Sequence, residues 1–94
     1  MKEVLMFYLD DCGYCRKAQR ALEELTEELP GAKALSVTKI EESREPELAE
    51  RYDYYRVPSF FLGTEKLYEA SPLWTRAEAK RRLGAMFDAV LEKE

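Results

Sequence analysis

Val4-Leu5-Met6-Phe7-Tyr8-Leu9-Asp10-Asp11-Cys12-Gly13-Tyr14-Cys15 decides how this chain is read. Val4 to Leu9 is a continuous apolar run of strand length, which suits a central strand buried on both faces. Asp10 to Tyr14 reads as a loop. From Cys15 the pattern turns helical. Ala18, Ala21, Leu22, Leu25 and Leu29 share one face, and Lys17, Arg20, Glu23, Glu24, Glu27 and Glu28 share the other. Pro30-Gly31 ends that helix. A strand, a loop carrying two cysteines and a helix thus follow one another directly. This order places Cys12 at a helix N-terminus.

Further along, Ala32 to Val37 reads as a second strand and Thr38 to Glu42 as a polar connection. Ser43 is read as a cap, with Pro46 just inside a short helix that ends near Tyr52. Ser59-Phe60-Phe61-Leu62 reads as a strand, Gly63-Thr64 as a turn and Glu65 to Ala70 as the hairpin partner. Ser71-Pro72 breaks the chain. Thr75-Arg76-Ala77-Glu78 is a capping-box pattern. It opens a last helix whose apolar face is Ala79, Leu83, Met86, Phe87, Val90 and Leu91. The order is β-α-β-α-β-β-α. It predicts an α/β fold with a mixed four-stranded sheet and helices on both faces, as a single domain over residues 1–94.

Composition narrows the chemistry. Fifteen basic against 19 acidic residues give a net charge of −4, a poor basis for general binding to nucleic acid or anionic membrane. No apolar run approaches the roughly 20 residues of a membrane span. The first apolar stretch is short and lacks a small-residue cleavage site, so it reads as a strand rather than a signal. The expected compartment is therefore the reducing cytoplasm. The chain has no histidine, which removes Cys-His and Ser-His catalysis and the commonest zinc ligand. Both of its cysteines lie in Cys12-Gly13-Tyr14-Cys15.

At a helix N-terminus, the positive end of the dipole and the unpaired N–H groups both favour a thiolate. Cys12, nearer the loop, is the expected attacking thiolate. Cys15, inside the first turn, is the expected resolving thiol. Arg16 and Lys17 favour charge on Cys12, while Asp10 and Asp11 oppose it. Two plainer readings stand beside this one. The pair is half of a zinc site shared by two chains, or the cysteines are inert core thiols.

The chain resembles the thioredoxin-like superfamily, and its small glutaredoxin-like branch in particular. Two motifs carry the resemblance. One is Cys12-Gly13-Tyr14-Cys15 followed by Arg16-Lys17-Ala18, similar to the glutaredoxin Cys-Pro-Tyr-Cys run. The other is Arg56-Val57-Pro58, similar to Thr-Val-Pro. The resemblance implies a cis bond before Pro58, with Pro58 packed beside the cysteine pair. It also implies that the Val57 backbone pairs with an extended substrate segment. The sequence departs from the thioredoxin pattern at Asp11 and Tyr14. It departs from the glutaredoxin pattern at Gly13 and lacks the Gly-Gly-x-Asp segment after the hairpin, where Glu69 stands instead.

The implied function is a thiol–disulfide oxidoreductase. It acts as a monomer on protein disulfides or glutathione, with Cys12 and Cys15 catalytic. Tyr14, Tyr55, Arg56, Val57 and Pro58 contact the substrate. No metal or bound cofactor is expected. Glutathione or a flavin-dependent reductase of the thioredoxin-reductase type serves as external reductant. The alternatives are a non-catalytic binding module or redox sensor on the same fold, and a metal or iron–sulfur site bridging two chains. Trp74 reads as a packing residue, and Lys80-Arg81-Arg82 as a solvated face.

Overall fold

The structure is a computed structural model and describes residues 3–28 and 36–92. Its elements are β1 (Glu3–Tyr8), α1 (Gly13–Glu28), β2 (Ser36–Glu41), α2 (Pro46–Ala49), β3 (Ser59–Leu62), β4 (Glu65–Glu69) and α3 (Arg76–Glu92). The sheet order is β2-β1-β3-β4. β2 runs parallel to β1, β3 antiparallel to β1, and β4 antiparallel to β3. This is the expected mixed α/β sheet.

The apolar run of β1 is explained by its central position. Successive strand residues point to opposite faces. Val4 and Met6 join Phe60 and the buried faces of α1 and α3, namely Leu22, Leu25, Leu83, Met86, Phe87 and Val90. Phe7 points the other way and packs with Ile40, Ala49 and Phe61, with Leu5 and Tyr52 alongside. Neighbouring Phe60 and Phe61 in β3 divide between the two clusters in the same manner. Both faces of the sheet are therefore dry over the strands that lead to the cysteines. Each large side chain buried this way contributes about 1.5–3 kcal/mol.

Several boundaries differ from the sequence reading. β2 is Ser36–Glu41, so most of the expected polar connection is strand. The reason is its edge position, which tolerates polar side chains. Lys39 is exposed, and Thr38 Oγ donates to Glu3 at 3.0 Å. The expected helix stop at Pro30-Gly31 and the first part of the expected strand from Ala32 lie outside the described residues. Ser43 does not cap α2. Glu45 holds that position without a side-chain cap bond, and Pro46 stands at the helix start. Ser43 Oγ is instead turned to the Glu41 carboxylate. The capping box of α3 is half made. Glu78 N–H donates to Thr75 Oγ1 at 3.1 Å, but the Glu78 carboxylate is drawn off by Arg81 and Arg82.

Two glycines have opposite roles. Gly63 turns the β3–β4 hairpin at φ +62°, in the left-handed region. Gly84 sits where α3 meets α1, and a Cβ there would lie 3.6 Å from Leu25 Cδ2, an ordinary contact. Gly84→Ala should therefore stabilise the protein by about 0.5–1 kcal/mol, and Gly63→Ala should destabilise it by about 1 kcal/mol. Denaturant unfolding of the two variants checks both signs.

Candidate functional site

Cys12 directly precedes α1, so it is the residue that caps the helix. Its carbonyl accepts the Arg16 N–H at 3.2 Å. Its sulfur accepts the Cys15 N–H at 3.1 Å. A Ser or Asp cap makes this same bond to the third helical residue. The two-residue spacer between the cysteines is therefore the spacing from cap to third helical position. The arrangement turns the positive end of α1 on the Cys12 sulfur. On the opposite side, the Cys12 Sγ lies 3.9 Å from the Val57 carbonyl oxygen. Val57 begins the Val57–Pro58 peptide bond, which is cis, as the resemblance implied.

Cys15 is 1% exposed and belongs to the buried stripe of α1 with Ala18, Leu22 and Leu25. Burial pushes its thiol up to about 12, and the adjacent Cys12 side chain adds to the effect. Cys15 is therefore a thiol at neutral pH. Cys12 is partly exposed and opens onto a groove of about 480 Å³.

The side-chain charges near the pair are mostly engaged elsewhere. Arg16 donates to the Asp10 carbonyl at 3.4 Å. The Lys17 ammonium lies 5.9 Å above the Tyr14 ring. The Asp10 carboxylate pairs with Arg44. Backbone groups, rather than these side chains, make the contacts to the Cys12 sulfur.

Tyr14, Tyr55, Arg56 and Val57 line the same groove as Cys12. Tyr14 is 51% exposed and Tyr55 is 89% exposed. Pro58 is fully buried and is not among the groove-lining residues, so the expected contact of its side chain with substrate is corrected. Tyr52 and Tyr54 are not among the groove-lining residues and pack on Phe7 and Phe61. Trp74 packs edge-on against Tyr68 with Arg82 over its ring, in keeping with a packing role.

Two carboxylates that frame the site were not singled out as functional by sequence reasoning. Glu41 is buried and accepts the Asp10 N–H at 2.9 Å and the Ser43 N–H at 2.7 Å. It ties the loop before Cys12 to the turn after β2. The Ser43 hydroxyl, the Asp10 amide and Arg44 hold its carboxyl down at about 2, against the cost of desolvation. Glu69 does the same for the loop before Pro58. Its Oε2 accepts the N–H groups of Tyr55 at 2.6 Å and Arg56 at 2.8 Å, and Lys66 binds its other oxygen. Burial raises the Glu69 carboxyl, but Lys66 and the two amides outweigh it and the net shift is downward. Ser59, fully buried, donates its hydroxyl to the Arg56 carbonyl. A sequence signal existed only for Glu69, as the residue standing where a glycine-rich segment was expected. Its carboxylate is turned to this loop rather than offered to a ligand.

Among the described residues, no group of three or more Cys, Asp or Glu is placed to hold a metal ion. No helix among them is long and apolar enough to cross a membrane.

Two outcomes follow from these geometries. At neutral pH, iodoacetamide should label Cys12 and leave Cys15 unlabelled until the chain is unfolded, as read by peptide mass. The Glu41 carboxyl is depressed in the fold from an ordinary 4.5 to about 2. Its stabilising effect is therefore complete above about pH 4.5 and is lost as pH falls toward 2. Glu41→Gln should lower the thermal midpoint at pH 7 and flatten its fall between pH 5 and 2. A wild-type slope in the variant would refute the assignment.

The thioredoxin family model matches residues 1–84. No curated protein sequence matches the chain significantly. Among solved structures, the chain is similar to an uncharacterised thioredoxin-like protein from Clostridium perfringens. Identity is 28% and the TM-score 0.64, covering 100% of this chain and 74% of that one. It is also similar to a mutant thioredoxin from Halobacterium salinarum, at 25% identity and a TM-score of 0.57, over 90% of this chain and 74% of that one. The germline-specific thioredoxin Deadhead of Drosophila melanogaster shares the fold at 24% identity and a TM-score of 0.65. That match covers 94% of this chain and 79% of Deadhead.

Proposed function

We propose that this chain, which belongs to the thioredoxin family, is a thiol–disulfide oxidoreductase that reduces partner disulfides through Cys12 and Cys15. One observation carries the reading. The partly exposed Cys12 sulfur accepts the Cys15 N–H at the helix start, while the Cys15 thiol is buried behind it. The first sulfur is accessible and lies at the positive end of α1. The second is protected until it is needed.

The steps balance as a two-electron exchange. Cys12 gives its proton to solvent, and its thiolate attacks one sulfur of the partner disulfide. A Cys12–partner disulfide forms, and the other partner sulfur leaves as a thiolate that takes a proton. Cys15 gives its proton to solvent and attacks the Cys12 sulfur. The Cys12–Cys15 disulfide forms and the second partner sulfur leaves as a thiol. The partner gains two electrons and two protons, and the dithiol loses them. An external reductant, two molecules of glutathione or a flavin-dependent reductase, then supplies the two electrons that reset the pair in a reducing compartment such as the cytoplasm. No bound cofactor takes part.

A polypeptide is the preferred substrate over glutathione. The large apolar side chains exposed among the described residues are Tyr14, Tyr55 and Leu73. The two tyrosines border the cysteine groove, and Leu73 follows Pro72 on its rim. An apolar border of this kind suits a protein surface. Arg56 and the Val57 backbone complete the contact, the latter by short strand addition.

Cys12→Ser should abolish reduction of a peptide disulfide with dithiothreitol as donor. Cys15→Ser should leave the first step intact and accumulate a mixed disulfide with the peptide, seen as an adduct by intact mass. Turnover by Cys12→Ser would overturn the mechanism. Stoichiometric binding without turnover by the wild type would favour a binding module instead.

A further inference from the structure

We propose that a recess beside the cysteine groove seats a leucine-sized apolar side chain of the partner polypeptide, next to an acidic residue. The identity of the partner rests on the oxidoreductase reading. The recess itself rests on separate observations.

The recess lies between α1, α3 and the segment joining β4 to α3. Its floor is Ala18 and Ala21 of α1, Leu83 of α3, and Trp74. The two alanines are small side chains on the face that α1 turns toward α3, and they leave the space open. Its volume is about 80 Å³. That is several times the roughly 10–15 Å³ one water needs, and about half the roughly 150 Å³ of an apolar cavity that admits benzene. A branched aliphatic side chain matches this size. Tyr14, Ala70 and Ser71 line both the recess and the cysteine groove, so the two form one continuous surface. A polypeptide whose sulfur meets Cys12 runs past the mouth of the recess.

The rim supplies the charge preference. Lys80 is held by Glu24 at 3.2 Å and Glu28 at 3.1 Å. Arg81 and Arg82 are held by Glu78. Arg76 and Lys17, the latter over the Tyr14 ring, stand on the same rim and have no carboxylate partner among the described residues. Arg76 also opens α3, whose positive end adds to its field. In a chain with 19 acidic residues, two unmatched cations beside an apolar recess complement an acidic partner.

The test uses pre-reduced full-length protein and symmetric disulfides of short Ser/Gly peptides with one cysteine each. A leucine is moved stepwise along the peptide with glutamate or lysine beside it, and hydroxyethyl disulfide is the reference. At one placement, the Leu-Glu peptide should react about tenfold faster than the leucine-free peptide, the scale of one buried apolar side chain. The Leu-Lys version should lose much of that gain. Ala21→Leu, which fills the recess, and Arg76→Glu should each erase the gain when rates are expressed relative to hydroxyethyl disulfide. Binding is read separately. Trp74 is the chain's one tryptophan. Its fluorescence should change on titration with a cysteine-free Leu-Glu peptide, and Ala21→Leu should abolish the change. A gain that survives both substitutions, or the absence of a fluorescence change, overturns the recess. Failure to reduce any disulfide, with the fluorescence change intact, overturns the oxidoreductase reading and leaves the recess standing.

Discussion

The hydrogen bond from the Cys15 amide to the Cys12 sulfur organises this molecule. It requires Cys12 to be the cap of α1 and Cys15 to be its third residue. The phase of the helix then decides both exposures. Cys15 falls in line with Ala18, Leu22 and Leu25 and is buried with them. Cys12, outside the helix proper, stays at the surface. One local cap geometry thus produces an accessible sulfur facing a helix end and a hidden thiol behind it. Burial raises the Cys15 thiol, and its neighbours on the buried face of α1, Ala18, Leu22 and Leu25, pack into the core.

That cap is held in place by backbone contacts from both sides. β1 delivers the cysteine loop, and Glu41 fixes the Asp10 amide within it. Glu69 fixes the Tyr55 and Arg56 amides, and Ser59 the Arg56 carbonyl, so that the Val57 carbonyl faces Cys12. Two acidic residues therefore frame the site by accepting hydrogen bonds from backbone. Their charge is not directed at the sulfur. The cationic side chains that follow Cys15 in sequence point away, toward Asp10 and Tyr14. The Cys12 environment is built from main chain more than from ionised side chains.

Much of this was legible in the sequence. The Val4 to Leu9 run announced a strand buried on both faces, and Val4, Met6 and Phe7 are fully buried. The order of strand, loop and helical pattern placed Cys12 at a helix start, and the Val57-Pro58 pair announced a cis bond by family likeness. β2 was misplaced because an edge strand carries Thr38 and Lys39 without cost, so its pattern reads as a loop. Glu41 and Glu69 were unreadable for another reason. Among 19 acidic residues, nothing in a linear pattern separates a carboxylate that accepts distant amides from one that faces water. Ser43 was misread in the same way, as its hydroxyl had two possible partners and only the fold chooses between them.

The account stands or falls on whether Cys12 and Cys15 form a reversible couple. The most direct measurement is intact mass of metal-free protein equilibrated across a glutathione redox series. The account predicts loss of two hydrogens from the chain, titrating reversibly with the poise and absent in Cys12→Ser. A chain that keeps both thiols at every poise would contradict it.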